Sequence, residues 1–352
     1  MKHIRLTVVI LCGNLWLACE DPPVVSYSQS KPEVMEVLEI TASNFTLQDF
    51  DSNNTDHQRI RQAVCQELKI RDDELTQAHL AKVERLDLFG QEIEKIDPVQ
   101  ALIGLKRLNI HGNKVVDLSP LQGLLALEVL EASENRISDI SALSKLHQMR
   151  VLHLKKNAIR DIGPLVKLTH LISLDLEGNQ IEEIEAISGT NNLNWLALGF
   201  NRIKSIKALS GLNRLRHLYL ESNRLTGGQL APLIGLKHLR SLSLRGNQVD
   251  DINVLSSMKQ MNWLELDDNR ISSVGPLANM EVLELLYVEN NRVTELASLT
   301  KLTALKELRG QGNNIPNEQS TLLIKALPNC RIKAGVFSTI PMRRRSTNPK
   351  DK

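Results

Sequence analysis

An asparagine returns every 22 residues through two thirds of this chain: Asn113, Asn135, Asn157, Asn179, Asn201 and Asn223, then, after one step of 24, Asn247, Asn269, Asn291 and Asn313. The same apolar frame surrounds each, as in Leu127, Leu130, Asn135, Ile137, Ile140, Leu143 and Leu146, and again in Met149, Leu152, Leu154, Asn157, Ile159, Ile162, Leu165 and Leu168. Repetition at such a period means a solenoid, in which each unit is one supersecondary element stacked on the next.

Two spacings alternate inside a unit. Leu152 and Leu154 stand two apart, the period of a strand with one buried face. Ile159, Ile162, Leu165 and Leu168 stand three apart, tighter than the ~3.6 of an α-helix and suited to 3₁₀ turns, whose side chains eclipse every third residue. Each coil is therefore a strand of about three to five residues plus a tight return, too short to bury its leucine row without neighbours. An Asn at the strand exit offers an acceptor oxygen and two donor hydrogens. A buried ladder of them satisfies the backbone groups of the bending loops, and loss of one rung is expected to cost a few kcal/mol.

From Leu86 to Ile315 these residues resemble the leucine-rich repeat family, and specifically the 22-residue bacterial subtype typified by internalins. Ile137-Ser138-Asp139-Ile140-Ser141-Ala142-Leu143 and Val115-Val116-Asp117-Leu118-Ser119-Pro120-Leu121 are similar to that subtype's return segment. The resemblance implies an α/β solenoid: a leucine-rich-repeat horseshoe with short parallel strands on the concave face, 3₁₀ or turn returns on the convex face, and a helical N-terminal cap. Such a fold by itself names no reaction. Two departures are local. Gln91 holds the Asn position of the first coil. In the seventh coil Gly227-Gly228 falls where the frame wants Ile, and two extra residues precede Asn247. This reads as a bulge on the return side, either a tolerated insertion or a bend that shapes a site.

Residues 1–18 combine Lys2 and Arg5, the apolar run Leu6 to Leu11 and Ala18 before Cys19. These are the marks of an export signal, too short and too quickly followed by Glu20-Asp21-Pro22-Pro23 to be a spanning helix. Cys19 directly after that Ala resembles the bacterial lipoprotein processing site, with Trp16 in place of the site's usual Leu. The resemblance implies lipidation of Cys19 and membrane attachment in the cell envelope. Residues 19–40, with Pro22, Pro23, Ser26, Ser28, Ser30 and Pro32, read as a tether. Residues 41–84 form the cap, where Ile60, Val64 and Leu68 predict a helix over 55–68 with Thr55 or Asp56 as N-cap. The repeats occupy 85–315. A C-terminal cap follows over 316–337: a helix carrying Leu322, Leu323, Ala326 and Leu327, then Pro328 to Ile332 as the last edge strand. Residues 338–352, with Arg343-Arg344-Arg345, read as a disordered basic tail.

Charge excludes a nucleic-acid partner. Removing residues 1–18 leaves 41 basic against 41 acidic groups, and no basic stripe with interleaved aromatics appears. Outside the signal, Cys65 and Cys330 lie in opposite caps and cannot pair within one molecule, so both are expected as small buried hydrophobes.

Solenoids usually bind through the inner face of the curve, here the outward columns of the strands, found by counting back six, four and two residues from each Asn. Aromatic residues are only 3% of the chain, yet both Trp of the processed chain and both Tyr of the repeats (Trp195, Tyr219, Trp263 and Tyr287) fall in these columns. Large amphipathic rings are what protein interfaces use as anchors; the competing account is lateral shielding of neighbouring strands. Glu177, Glu221, Glu265, Asp267, Asp268 and Glu289 surround them, relieved by Arg245, and His217 lies among them. The predicted contact set is Trp195, His217, Tyr219, Glu221, Arg245, Trp263, Glu265, Asp267, Tyr287 and Glu289. It selects a protein partner with a basic or amphipathic surface, or a glycan stacking on the rings.

Catalysis is not expected. His153 can reach Asp175 or Glu131 across strands about 4.8 Å apart, with Ser133 and Ser173 nearby, yet an open face offers no water-excluding pocket. His217 and Glu221 are four apart in a strand, about 13 Å, too far to share a metal ion, and no phosphate loop or cofactor motif is present. The sequence thus reads as an exported, lipid-anchored bacterial scaffold or adhesin without cofactor or metal. A carbohydrate- or peptidoglycan-binding envelope protein and a ligand-free structural spacer are the alternatives.

Overall fold

The computed structural model describes residues 45–334 and the backbone of 337–338. The signal at 1–18, the tether at 19–40 with Cys19, and the basic tail beyond Ser338 lie outside the described residues. None of the described helices is long and apolar enough to cross a membrane.

The repeats build one sheet in strict chain order. Its strands are β1 (Arg85–Asp87), β2 (Arg107–Asn109), β3 (Val129–Glu131), β4 (Val151–His153), β5 (Ser173–Asp175), β6 (Trp195–Ala197), β7 (His217–Tyr219), β8 (Ser241–Ser243), β9 (Trp263–Glu265), β10 (Leu285–Tyr287), β11 (Glu307–Gly310), β12 (Arg331–Ala334) and β13 (Phe337–Ser338). Neighbours pair in parallel up to β12, with the central leucines in register, as Leu130 with Leu152 and Leu196 with Leu218. Each coil returns through short 3₁₀ turns such as Ser141–Lys145 and Gly163–Lys167. Pro98, Pro120, Pro164, Pro232 and Pro276 stand at the first positions of such turns, where a missing N–H forfeits no intrahelical bond. This is the solenoid expected from the spacing. Its core is a stack of leucine and isoleucine rows, with Leu130, Leu152, Leu174, Leu196 and Leu218 wholly excluded from solvent.

The asparagines form the ladder. Asn201 Nδ2 donates to the carbonyls of Leu176 (2.9 Å), Leu198 (3.0 Å) and Gly199 (3.1 Å), and its Oδ1 accepts from Ile181 N (2.9 Å). The pattern recurs from Asn113 to Asn313. The residue before each rung turns left-handed: Gly90, Gly112, Glu134, Lys156, Gly178, Phe200, Ser222, Gly246, Asp268, Asn290 and Gly312 all have φ between 51° and 72°. Glycine adopts this conformation freely, whereas other residues accept a steric penalty.

In the seventh coil the two extra residues carry the second apolar position of the return to Leu230, which is wholly buried. Thr226 bridges Gln248 of the next coil. A Cβ on Gly227 would meet Asp250 Oδ1 and Asp251 N at 2.7 Å and Asp251 O at 2.8 Å. Gly227 thus lets one backbone lie directly on the next, whereas a Cβ on Gly228 would meet nothing within 4 Å.

Helix α1 (Thr55–Leu68) buries Ile60 and Val64. Its N-cap is Asn54, whose side chain accepts from Asp56 N and His57 N, rather than Thr55 or Asp56 as the sequence suggested. Asn54 has the extended backbone that a cap requires. Asp56, already inside the helix, instead accepts from Glu94 N and Lys95 N, each at 3.0 Å, and ties the helix to the first coil. At the far end α2 (Asn317–Ala326) precedes β12, which begins at Arg331. The expected edge strand is not the edge: β13 pairs antiparallel outside β12. Cys65 and Cys330 are free and buried, and burial pushes the Cys330 thiol up to about 12.

Candidate functional site

The outward columns converge on a continuous aromatic row. Trp195 on β6 meets Tyr219 on β7 with ring centroids 5.7 Å apart. Tyr219 meets Trp263 on β9 at 5.9 Å, and Trp263 meets Tyr287 on β10 at 6.4 Å. His153 on β4 extends the row at 5.9 Å from Trp195, and the Arg309 guanidinium closes it 4.2 Å above Tyr287. Small residues make this possible. Strands two apart are about 9.6 Å from each other, and the rings of Tyr219 and Trp263 touch across β8, whose outward residues are Ser241 and Ser243. His153 and Trp195 meet across Ser173 of β5 in the same way.

The row is part platform and part surface. Tyr287 is 3% exposed and Asp267 7%, whereas Trp195, Tyr219 and Trp263 are half-buried. Lateral packing of the aromatics, the competing account of their placement, is therefore real. It leaves three of the four rings reachable from solvent.

Carboxylates flank the row, and burial governs their protonation. Glu221 is pushed up to about 7, mainly by burial, with Glu177 and Glu265 adding repulsion. Asp267 also rises to about 7, by burial and the proximity of Glu265 and Glu289, although its Oδ1 accepts from Glu289 N at 2.6 Å. Burial raises Glu265 despite the Ser243 hydroxyl donating to it at 2.8 Å. Arg245 reaches Asp268 at 3.1 Å and stands 4.0 Å from Glu265. The face at neutral pH consequently carries less negative charge than its residue count gives. His217 is held down to about 4, by burial and then by Arg216 and Arg240, so its ring is neutral; Nδ1 lies 3.1 Å from Ser241 Oγ. No metal-binding cluster exists among the described residues.

His153 chooses Glu131 over Asp175: Nδ1 lies 2.7 Å from Glu131 Oε2 and Nε2 lies 3.0 Å from Ser173 Oγ. Asp175 is occupied by its own strand exit, accepting from Glu177 N at 3.0 Å. Of the two nearby serines, Ser173 is the one that joins the carboxylate–imidazole pair. The chain of bonds ties β3, β4 and β5 together across the open face.

One residue beside the row was missed altogether. Phe200, at the exit of β6, is 55% exposed and left-handed at φ 54°. Gly112, Gly178, Gly246 and Gly312 one place before their asparagines were the signal that this column bends backward. Counting by twos from the asparagines passed over it.

Family models for leucine rich repeats match residues 169–225, and for two-copy repeats 147–189 and 214–257. No curated protein matches the sequence. Among solved structures, an internalin (inlF) from Listeria monocytogenes is similar with a TM-score of 0.68 and 27% identity, covering 78% of this chain and 87% of its own. The functional domain of InlJ from Listeria monocytogenes is similar with a TM-score of 0.64 and 17% identity, over 77% of this chain and 67% of its own. The ectodomain of the Arabidopsis receptor kinase HAESA has a TM-score of 0.58 and 22% identity, over 65% of this chain and 42% of its own. The fold is a leucine-rich-repeat solenoid resembling internalins.

Proposed function

We propose that this chain is an exported protein, lipid-anchored at Cys19 in a bacterial envelope, that works by non-covalent recognition of a protein partner as a scaffold or adhesin. Its contact surface is the aromatic row from Trp195 to Trp263, backed by Tyr287, with Glu221, Glu265, Asp267 and Glu289 beside it and His217 and Arg245 among them. One observation carries this reading: four rings from four strands pack in one row, tilted or edge-to-face, and three keep exposed surface. Burying such rings against a partner is how interfaces concentrate binding energy, at about 2 kcal/mol or more per anchor. The flanking carboxylates favour a partner with a basic surface and speed its encounter.

The test is a crosslinking capture from the native envelope with wild type and Trp195→Ala/Trp263→Ala. A protein held by wild type and lost by the folded variant supports the proposal. Equal capture by both refutes this face as the contact. A glycan recovered by wild type alone would replace the protein partner with a carbohydrate, and an unfolded variant would make the row structural.

A further inference from the structure

The two flanks of the sheet differ in charge. Each strand is entered through a short loop that leaves the preceding 3₁₀ return, and six consecutive loops occupy 144–150, 166–172, 188–194, 210–216, 234–240 and 256–262. Together they hold eight Lys and Arg residues and three His, without one Asp or Glu. The segments leaving the same strands mix both signs: Arg160 stands beside Asp161, and Lys204 pairs with Glu182 at 3.6 Å. On the entry flank Lys145, Lys167, Arg214, Lys237, Arg240 and Lys259 are exposed, and none forms an ion pair among the described residues. Beyond both ends of the band the flank is neutralised, Lys106 pairing with Glu84 at 2.7 Å and Lys306 with Glu284 at 2.6 Å.

The band is continuous. His170 Nδ1 lies 3.0 Å from the His147 carbonyl oxygen, Asn192 Nδ2 donates to the Thr169 carbonyl at 3.2 Å, and Arg214 Nη1 donates to Asn192 Oδ1 at 2.8 Å. Six strands about 4.8 Å apart make it about 24 Å long. Apolar side chains stand on the same flank: Ile103, Leu125, Val166, Ile234 and Val282 are all exposed, and all lie in strand-entry loops. A hollow of about 260 Å³ opens between the loops before β4 and β5, where Ser144, Lys145, His147 and Lys167 offer donors to an anion beside Val166. Unpaired cations interleaved with exposed aliphatics suit a surface of anionic lipid headgroups, which takes charge at the phosphates and apolar groups just below them. A face for single-stranded nucleic acid would need rings to stack on bases, and the six loops hold no aromatic residue.

We infer that the strand-entry flank is a docking surface for an anionic lipid bilayer, with Lys145, Lys167, Lys237 and Lys259 on headgroup phosphates and Val166 and Ile234 at the boundary with the acyl chains. The aromatic row stands on the strands themselves, so docking by the flank leaves it open, and the inference does not depend on what that row binds. Exposed charges are screened beyond about 8 Å at physiological ionic strength. The contact therefore orients an anchored chain and does not hold a free one.

The experiment uses the chain from residue 19 onward carrying Cys19→Ser, so that no acyl group contributes, sedimented with vesicles of phosphatidylglycerol and phosphatidylcholine or of phosphatidylcholine alone at about 10 mM salt. Binding is expected only to the anionic vesicles and is lost at about 0.15 M salt. At about fivefold per lysine, Lys145→Gln/Lys167→Gln/Lys237→Gln/Lys259→Gln should weaken it by about a hundredfold or more. These side chains are exposed and unpaired, so the melting temperature should not move. Arg202→Gln/Arg224→Gln/Arg270→Gln/Arg292→Gln removes the same charge from the exit flank and should leave binding within about threefold. Equal loss in both variants reduces the effect to net charge and overturns the flank. Loss in Arg343→Gln/Arg344→Gln/Arg345→Gln with none in the lysine variant assigns the binding to the tail instead. Release by inorganic phosphate at constant ionic strength would make the hollow a site for the free ion, and tighter lysine-dependent binding of duplex DNA would replace the lipid with a nucleic acid; either overturns the proposal, as does wild type that ignores anionic vesicles.

Discussion

Replacing Asn201 by Leu tests the ladder most sharply, and the structure fixes how large the effect should be. Asn201 makes four hydrogen bonds, but their loss is unequal. The Leu176 carbonyl keeps Asn179 Nδ2 at 3.0 Å, the Leu198 carbonyl keeps Asn223 Nδ2 at 2.9 Å, and the Gly199 carbonyl keeps Gly178 N at 2.9 Å. Ile181 N alone loses the partner recorded for it, Asn201 Oδ1. One orphaned buried donor costs about 1–3 kcal/mol, whereas a carbonyl keeping one of two donors loses far less. The expected destabilisation is therefore about 2–3 kcal/mol, not four full hydrogen bonds. Urea unfolding should show it, and amide exchange should localise it, with Ile181 N exchanging faster than amides several coils away because each coil touches only its neighbours. Asn191→Leu, the same change at an exposed position, should stay within about 0.5 kcal/mol. An unchanged midpoint and unchanged Ile181 exchange would remove the ladder from the account of stability.

Glu221 and Asp267, both raised to about 7, bind protons in the folded state that the unfolded chain releases at about pH 4. Their contribution to stability is present in full at low pH and is lost as pH rises from about 4 to 7. His217, held down to about 4, acts in the opposite sense, its contribution growing with pH up to about 6.5. The stability difference between wild type and Glu221→Gln/Asp267→Asn, followed by urea midpoints, should therefore decline from about pH 4 to 7; a flat difference refutes the burial of these carboxyls. Capture of a basic partner should strengthen as pH rises through 7, as the two groups ionise. Gly227→Ala should destabilise by about 1–3 kcal/mol, since Asp251 backbone lies where the new methyl must go; a thermal scan matching wild type would show that the coil can shift. Cys19→Ser should move the protein from the membrane to the soluble fraction, and continued membrane association would defeat the anchor.

The legible part of this molecule is the part repeated ten times. Leucine rows, 3₁₀ returns and rungs announce themselves because each coil restates the same spacing, and parallel register then places the outward columns correctly. What stayed hidden is settled by competition between neighbours of similar polarity. Asp175 and Glu131 are equally plausible partners for His153 by spacing, and a local bond to Glu177 N takes Asp175 away. Thr55, Asp56 and Asn54 are all capping residues, and only the docked position of the first coil gives Asp56 other work. Ionisation was hidden for the same reason: the carboxyl of Glu221 is raised by how it folds over Gly199, a choice of rotamer that no spacing encodes. Phe200 was legible in principle, through the glycines of its column, but a rule built on alternation cannot see a position where the strand has already ended.

Lateral packing and recognition are usually opposed as explanations of an aromatic row, yet here each supports the other. Adjacent rings from Trp195 to Trp263 are inclined at 50° rather than stacked flat, and each holds its neighbour while remaining only half-buried. A ring already held by its neighbours has little rotamer freedom left to lose when a partner arrives, a saving of up to about 1 kcal/mol per side chain against a free surface aromatic. Tyr287, buried beneath Arg309, fixes one end of the row, and the His153 chain of hydrogen bonds fixes the other. The rows of leucine and asparagine carry the fold without help from the outward columns. Those columns are therefore free to hold a packed aromatic strip, and on the proposed reading that packing readies the surface before a partner arrives.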